Sequence, residues 1–267
     1  MSESAAESVV LLARDGALAI VTLNRPTKLN ALNRELRTEF CHTMQALRDD
    51  QSVGVVIITG AGRGFCAGLD LKELGADSNR ESGAVVRDTT NVSFVSVIED
   101  MTVPVIAAVN GFAITGGFEL ALACDIMLAA ESAQFADTHA RVGVMPGGGM
   151  SARLPRAVGL RKAKELSLTG NYLSAREAER LGLVNRVVPD DRLLTEAREL
   201  AGQILSGDQN FVRQMKQLYD RTSRTTLEDA LRIEQETFRA FNSSSKLSDF
   251  DRRREAVMQR GRSQTRS

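Results

Sequence analysis

Gly111-Phe-Ala-Ile-Thr-Gly-Gly-Phe-Glu-Leu-Ala-Leu-Ala-Cys-Asp125 is the stretch on which the reading of this chain turns. Two adjacent glycines, Gly116 and Gly117, open an apolar helical run, and Glu119 follows within its first turn. The run before it, Val103-Pro-Val-Ile-Ala-Ala-Val109, is uninterrupted and apolar, as a buried strand requires. The first N–H groups of a helix have no partner within it and point at whatever sits at its start. Glycines let a ligand approach that backbone closely. Glu119 then stands beside a built-in oxyanion site. The combination suits chemistry on a carbonyl compound whose oxygen gains negative charge in the transition state.

Outward from this stretch, strands and helices alternate. Leu18-Ala-Ile-Val-Thr-Leu23 reads as a strand ended by Asn24-Arg-Pro26, and Asn33 is placed to cap a helix running on to Arg48. Val53-Gly-Val-Val-Ile-Ile-Thr59 is a second buried strand, followed by a glycine-rich loop, Gly60-Ala-Gly-Arg-Gly-Phe-Cys-Ala-Gly68. Helical pattern returns at 70–74 and 83–100, and the unit recurs as the 103–109 strand and the 116–123 helix. Ile126–Ala130 and Gln134–Ala136 read as short strands. Residues 148–205 are mostly helical, with a short strand at Leu183–Val188. This alternation predicts an α/β core over residues 1–205. Beyond it glycine thins out and charge density rises. Leu227, Ala230, Leu231, Phe238 and Phe241 recur at helical spacing, so residues 206–267 read as a helical appendage that must bury an apolar stripe, most simply against another subunit.

Composition removes several classes of function. Lys plus Arg and Asp plus Glu balance at 34 each, so no net field recruits nucleic acid or an anionic membrane. Cys41, Cys66 and Cys124 are too few and too scattered for a disulfide framework, which points to a reducing compartment. The first residues, Met1-Ser-Glu-Ser-Ala-Ala-Glu7, are acidic and polar rather than signal-like, and no apolar run approaches the roughly 20 residues of a membrane span. A soluble, cytoplasmic protein is expected. With two histidines and no ligand-spaced cluster, no metal is expected either.

Gly60-Ala-Gly-Arg-Gly64 resembles part of a dinucleotide fingerprint, but its spacing is wrong and no long helix follows at once. Phe65-Cys-Ala-Gly-Leu-Asp-Leu-Lys72 is more informative beside residues 111–125. Each segment follows a buried strand, turns on glycine and enters a helix. Two such loops can aim two backbone N–H groups at one point; equally, they can be two ordinary strand-to-helix turns with Asp70 as a cap.

Four segments carry a family resemblance: Asn24-Arg-Pro-Thr-Lys-Leu-Asn-Ala-Leu-Asn33, Gly64-Phe-Cys-Ala-Gly-Leu-Asp-Leu71, Val109–Asp125 and Leu168-Thr-Gly-Asn-Tyr-Leu-Ser-Ala-Arg-Glu-Ala178. In order and spacing, from about residue 10 to 260, the chain resembles the enoyl-CoA hydratase/isomerase (crotonase) family. The resemblance implies a crotonase-like spiral of ββα units and a C-terminal helical oligomerisation region that builds trimers, often paired into hexamers. It implies an acyl-CoA thioester as substrate and no cofactor beyond the CoA that the substrate carries. Carried over by position, the oxyanion hole would be the N–H groups of Leu69 and Gly116. Lys28, Leu29, Ala31, Ala67, Gly68, Asp70, Leu71 and Gly117 would lie along CoA and the thioester. Phe250 and Arg253 match positions that reach the CoA of a neighbouring subunit, although Arg253 also fits a solvated charge in Arg252-Arg-Arg254. Segment 83–100, with Val85, Phe94, Val95 and Ile98, would line the acyl pocket.

Glu119 matches the first of two glutamates that family hydratases use. The second position falls on His139, in Phe135-Ala-Asp-Thr-His-Ala-Arg-Val-Gly143. An imidazole can also carry a proton near neutral pH, so His139 stands as a catalytic group or a lining residue. Asp137 can orient it or pair with Arg141. Pro146-Gly-Gly-Gly149 reads as a tight turn without a chemical role, Arg153 and Arg156 as surface or subunit contacts, and His42 as structural. The expected reaction is hydration of a 2-enoyl-CoA with Glu119 as acid/base. Isomerisation, thioester hydrolysis, decarboxylation, or acyl-CoA binding with little turnover remain the alternatives.

Overall fold

The computed structural model describes residues 8–76, 93–244, 254 and 257–262. β1 (Val10–Asp15) and β2 (Leu18–Leu23) form an antiparallel hairpin. α1 (Arg34–Asp49) follows, and the Asn33 side chain accepts from the Leu36 amide at 3.0 Å, the cap its sequence position predicts. One unit then recurs: β3 (Val55–Gly60), β4 (Gly64–Cys66) and α2 (Leu71–Ala76). After α3 (Ser96–Glu99) come β5 (Val105–Val109), β6 (Phe112–Ile114) and α4 (Gly116–Ala123). The next turn is β7 (Ile126–Ala130), β8 (Gln134–Ala136) and α5 (His139–Val142). Then follow α6 (Met150–Val158), α7 (Leu160–Thr169), β9 (Leu173–Ser174), α8 (Ala175–Arg180), β10 (Arg186–Val188) and α9 (Leu193–Leu205). Last are α10 (Gln209–Thr222) and α11 (Leu227–Ser244).

The first strand of each ββα unit enters a six-stranded sheet of order β1-β2-β3-β5-β7-β10, parallel from β2 onward. The second enters a four-stranded sheet of order β4-β6-β8-β9, in which only β9 is antiparallel. Stepping between two sheets once per unit is what makes the chain a spiral. From β2 to β7 the large sheet is buried on both faces, which explains its uninterrupted apolar strands, while the edge strand β1 is largely exposed. Val21, Ile58, Ala107 and Ala129 share one core with Phe40, Phe65, Phe118 and Phe135, which bridges the two sheets. Ile20, Ile57, Ala108 and Leu128 are covered by Leu193, Ala197 and Ala201, which recur every fourth residue on α9. Each fully buried Val, Leu, Ile or Phe among them contributes about 1.5–3 kcal/mol.

Most strands of the small sheet escape sequence reading because they are only two or three residues long. β4 lies inside what reads as a glycine-rich loop, and β6 between an expected strand and helix. The expected strand Leu183–Val188 contracts to Arg186–Val188, while Leu183 and Val184 pack into the core before it. Within segment 83–100, residues 83–92, Val85 among them, lie outside the described residues, and among those described the helix spans Ser96–Glu99.

The chain divides into two compact units, Met1–Arg213 and Gln214–Ser267. In the second, Leu227, Leu231 and Phe238 of α11 are exposed, each to more than half of its possible surface. No described helix is long and apolar enough to cross a membrane.

Candidate active site

Two strand-to-helix turns meet at the mouth of the small sheet. In the first, Gly68 takes φ +83°, a conformation that favours glycine, and a Cβ there would lie 2.8 Å from the Ile114 carbonyl and 3.1 Å from the Gly116 amide nitrogen. The turn is tied to the segment after β2. The Ala67 amide donates to the Leu29 carbonyl at 2.9 Å, Leu32 to Gly68 at 2.8 Å and Asp70 to Leu32 at 3.3 Å. This parallel bridge uses the groups on either side of Leu69, so the Leu69 N–H faces away from Leu32. In the second turn, Thr115 has φ +52° and ψ −109°, a rare conformation for a threonine. It is held by a hydrogen bond from its amide to Ala136 at 2.8 Å and a 2.5 Å contact between the Thr115 and Thr138 hydroxyls. Such backbone strain amounts to about 1–3 kcal/mol and persists only where neighbours impose it. Here it sets the direction of the Gly116 N–H at the start of α4. Among the described residues, neither the Leu69 nor the Gly116 amide donates to a protein acceptor.

The neighbouring glycine explains the Gly-Gly pair. A Cβ at Gly117 would stand 2.0 Å from the Cys66 carbonyl oxygen, so α4 packs directly on β4. At Gly116 a Cβ would find ordinary contacts with Leu32 and Phe94 at 3.6 Å. Leu32 and Phe94 therefore flank the start of α4 at Gly116. Burial pushes the Cys66 thiol up to about 12, so it is not a thiolate nucleophile at neutral pH.

Glu119 points from the first turn of α4 into the core and is 3 % exposed. Its Oε1 accepts from the Gly148 amide at 2.8 Å and the Met150 amide at 3.1 Å. The turn Pro146–Gly149, expected to lack a chemical role, thus holds the candidate acid/base group. The signal was legible in principle, because a glycine turn before a helix offers unpaired N-terminal amides to a carboxylate. Arg153 on α6 secures that turn by donating to the Gly148 carbonyl at 2.8 Å and pairing with Glu99 of α3. Arg153, expected as a surface or subunit contact, is thus placed to anchor the turn against Glu119.

His139 Nε2 lies 4.0 Å from Glu119 Oε2. Its Nδ1 is 2.6 Å from Asp137 Oδ1, and that same oxygen accepts the His139 backbone amide at 3.2 Å. Asp137 is 1 % exposed. Burial alone would raise its carboxyl, but hydrogen bonds from His139 and Ser167 outweigh it and hold the group below the usual carboxylate range. The choice left open for Asp137 resolves toward His139, because Arg141 instead donates to the Thr169 carbonyl at 2.7 Å.

Other expected residues fall as follows. Leu29, Ala31, Ala67 and Gly68 are brought together by the bridge just described, with Lys28 exposed at its edge. Asp70 pairs with Arg25 at 3.1 Å and accepts from the Lys72 amide at 3.2 Å. Leu71 is largely exposed. Asn30, which sequence reading passed over, is fully buried and pins the same loop, accepting from Arg25 and donating to Ala61 and Gly64. Val95 and Ile98 are buried, Phe94 partly so. Phe250 and Arg253 lie outside the described residues. His42 is exposed on α1. Among the described residues no group of three or more His, Cys, Asp and Glu is placed to hold a metal ion.

The family model described as enoyl-CoA hydratase/isomerase matches residues 13–258. A probable peroxisomal enoyl-CoA hydratase 1 from Arabidopsis thaliana is 39% identical over 98% of this chain and 97% of its own. A crotonyl-CoA hydratase from Syntrophomonas wolfei is 41% identical, over 86% of this chain and 88% of its own. The crystal structure of an enoyl-CoA hydratase from Mycobacterium tuberculosis H37Rv superposes with a TM-score of 0.72 at 44% identity, covering 88% of this chain and all of that one.

Proposed function

The chain belongs to the enoyl-CoA hydratase/isomerase family, and we propose that it adds water across the C2=C3 bond of a 2-enoyl-CoA thioester. The observation that carries this reading is Glu119: buried, with Oε1 held by two backbone amides and Oε2 left toward His139. Relatives at about 40% identity bear hydratase names, and they span most of the chain.

In the proposed reaction the thioester oxygen lies between the Leu69 and Gly116 N–H groups. As the water oxygen bonds to C3, the C2=C3 electrons move onto the thioester as an enolate, and those two donors stabilise the charge. Glu119 takes a proton from the water and returns one to C2, which gives a 3-hydroxyacyl-CoA. Preorganised amides do this without reorganising at the moment of reaction. CoA would run past Lys28, Leu29, Ala31 and Ala67 to Leu71, with Gly117 backing the thioester and Phe250 and Arg253 of a neighbouring subunit closing over it. No cofactor beyond the substrate's CoA is needed. The exposed apolar residues of α11 favour a homo-trimer or hexamer built through residues 206–267, and three cysteines that remain thiols fit a reducing, cytoplasmic setting.

The test is loss of the enoyl-thioester absorbance with crotonyl-CoA and longer 2-enoyl-CoAs, with CoA-thioester binding followed by calorimetry. Hydration to 3-hydroxyacyl-CoA is expected. Binding without turnover at every chain length would make the protein a binder, and turnover of 3-enoyl substrates alone would make it an isomerase. Sedimentation as a monomer at micromolar concentration would remove the oligomer from the reading.

A further inference from the structure

A His where a second glutamate is expected is useful only if one of its nitrogens faces the reaction in a defined state. We infer that Asp137 and His139 form a buried dyad in which Asp137 fixes the imidazole with Nδ1 as donor, leaving Nε2 as the acceptor that holds the attacking water against Glu119. The inference rests on the hydration reading above and assigns its water site.

The geometry fixes the direction of the hydrogen bond. Asp137 Oδ1 already accepts the backbone N–H of His139 at 3.2 Å, so that atom must be an oxygen and an acceptor. The ring nitrogen 2.6 Å from it must therefore carry a proton. In the neutral ring, Nε2 is then a bare lone pair. It faces Glu119 Oε2 across 4.0 Å, a gap that one water can bridge while donating a hydrogen bond of about 2.8 Å to each side. Glu119 cannot turn its other oxygen to the water, since the Gly148 and Met150 amides occupy Oε1. The water thus presents one O–H to Oε2 and one to Nε2, and its oxygen lone pair is left for C3. In the step itself the O–H toward Oε2 breaks, its proton passes to Glu119, and the water oxygen bonds to C3. The second O–H stays on the product hydroxyl, still donating to Nε2, and the proton on Glu119 goes to C2.

Every group involved is almost out of water: Asp137 is 1 %, Glu119 3 % and His139 8 % exposed. An unfixed imidazole there would lose this order, because a ring flip or the other tautomer puts an N–H donor where the water needs an acceptor. Asp137 is accordingly a positioning residue, acting through His139. It sits on the loop after β8 and His139 opens α5, whereas Glu119 belongs to α4, so the dyad faces Glu119 from the next turn of the spiral.

The experiment has two independent readouts. The chain has only two histidines, so ring-15N NMR of protein labelled at histidine, with H42Q for assignment, reads the His139 tautomer without any substrate. The expected result is Nδ1–H in the wild-type protein and in D137N, whose amide oxygen can keep both hydrogen bonds, and mixed or Nε2–H in D137A. A wild-type Nε2–H tautomer would overturn the dyad whether or not the protein hydrates enoyl-CoA. The second readout is kinetic. D137A should lower kcat by roughly 10²-fold, the scale of a misplaced proton-transfer arrangement, with KM changed only a few-fold. D137N should recover at least about tenfold of that loss. In the H139E background, where a carboxylate supplies the acceptor without help, D137A should change kcat by less than about threefold. An equal loss in both backgrounds, or no loss in either, would show that Asp137 serves the fold alone. Absence of hydration in the wild type would sink the reaction assignment and leave the NMR outcome to judge the dyad.

Discussion

Asp70 and Glu119 lie on successive turns of the same spiral, Asp70 immediately before α2 and Glu119 within the first turn of α4, each a few residues past a short strand of the small sheet. Their surroundings differ. Asp70 reaches the mouth of its loop, pairs with Arg25 and accepts from the Lys72 amide at the start of α2. Glu119 turns inward, where a third loop offers the Gly148 and Met150 amides and His139 stands opposite. The same local plan therefore yields a helix-capping ion pair in one turn and a candidate proton carrier in the next. A carboxylate at a helix start becomes chemical when a separate loop supplies donors to one oxygen and leaves the other free.

If that contrast is right, Glu119→Gln has the largest effect. The Gln carbonyl can keep the two amide hydrogen bonds, so the fold should survive, but the free oxygen becomes an amide that takes no proton. We expect kcat to fall by at least about 10²-fold, or about 3 kcal/mol of barrier, with CoA affinity changed little. Steady-state kinetics with crotonyl-CoA and calorimetry with a CoA thioester measure the two. Activity near wild type would make Glu119 another Asp70.

Next comes the loop that makes the difference. A Cβ at Gly148 would stand 2.7 Å from Glu119 Oε2 and 2.9 Å from Val95 Cγ2. The carboxyl is the end of a flexible side chain, so Gly148→Ala should shift it without unfolding the protein. Misplacement by a fraction of an ångström predicts a kcat loss of roughly 10- to 100-fold, with thermal unfolding within a few degrees of wild type. An unchanged kcat would show that the turn does not position Glu119.

The contrast also marks what the sequence could tell. The buried strands of the large sheet were legible because long β-branched runs admit few other readings, and α1 was legible through Asn33. The Gly-Gly-Phe-Glu start of α4 announced both a close approach and a carboxylate. The short strands β4, β6 and β9 had no periodicity to show. The hydrogen bonds that distinguish Glu119 from Asp70 join residues 29 and 31 positions apart, and no local pattern encodes them. Asp137 is close in sequence to both His139 and Arg141, so its partner is decided only by the Arg141 bond to the Thr169 carbonyl 28 positions away, and the pairing of Arg153 with Glu99 likewise joins distant elements.

Asp137 supplies a smaller, pH-dependent effect. Despite burial, its folded carboxyl is held below the ordinary aspartate range by the hydrogen bonds from His139 and Ser167, so its deprotonated form favours the folded state. That contribution is fully present above about pH 4 and is lost as pH falls through the depressed folded value. The stability gap between wild type and D137N, taken from urea unfolding at several pH values, should therefore be widest near neutrality and narrow below pH 4. A gap that widens on acidification would mean the carboxyl is raised rather than lowered.

The smallest effect belongs to Asp70. Asp70→Asn keeps a side-chain oxygen for the Lys72 amide and removes only the 3.1 Å pairing with Arg25, whose partners are each less than a fifth exposed. Shielded from water, such a charged hydrogen bond contributes about 1.5–3 kcal/mol to stability. Arg25 also donates to the Ala31 carbonyl, so it remains anchored in the loop. The change should reach the chemistry only through the bridge from Leu32 to Leu69, whose N–H is one of the two proposed oxyanion donors. We expect KM to rise a few-fold and kcat to fall by less than about threefold, against the 10²-fold or more for Glu119→Gln. A kcat loss at Asp70 rivaling that at Glu119 would mean that both turns carry proton chemistry, and the distinction drawn from the third loop would fail.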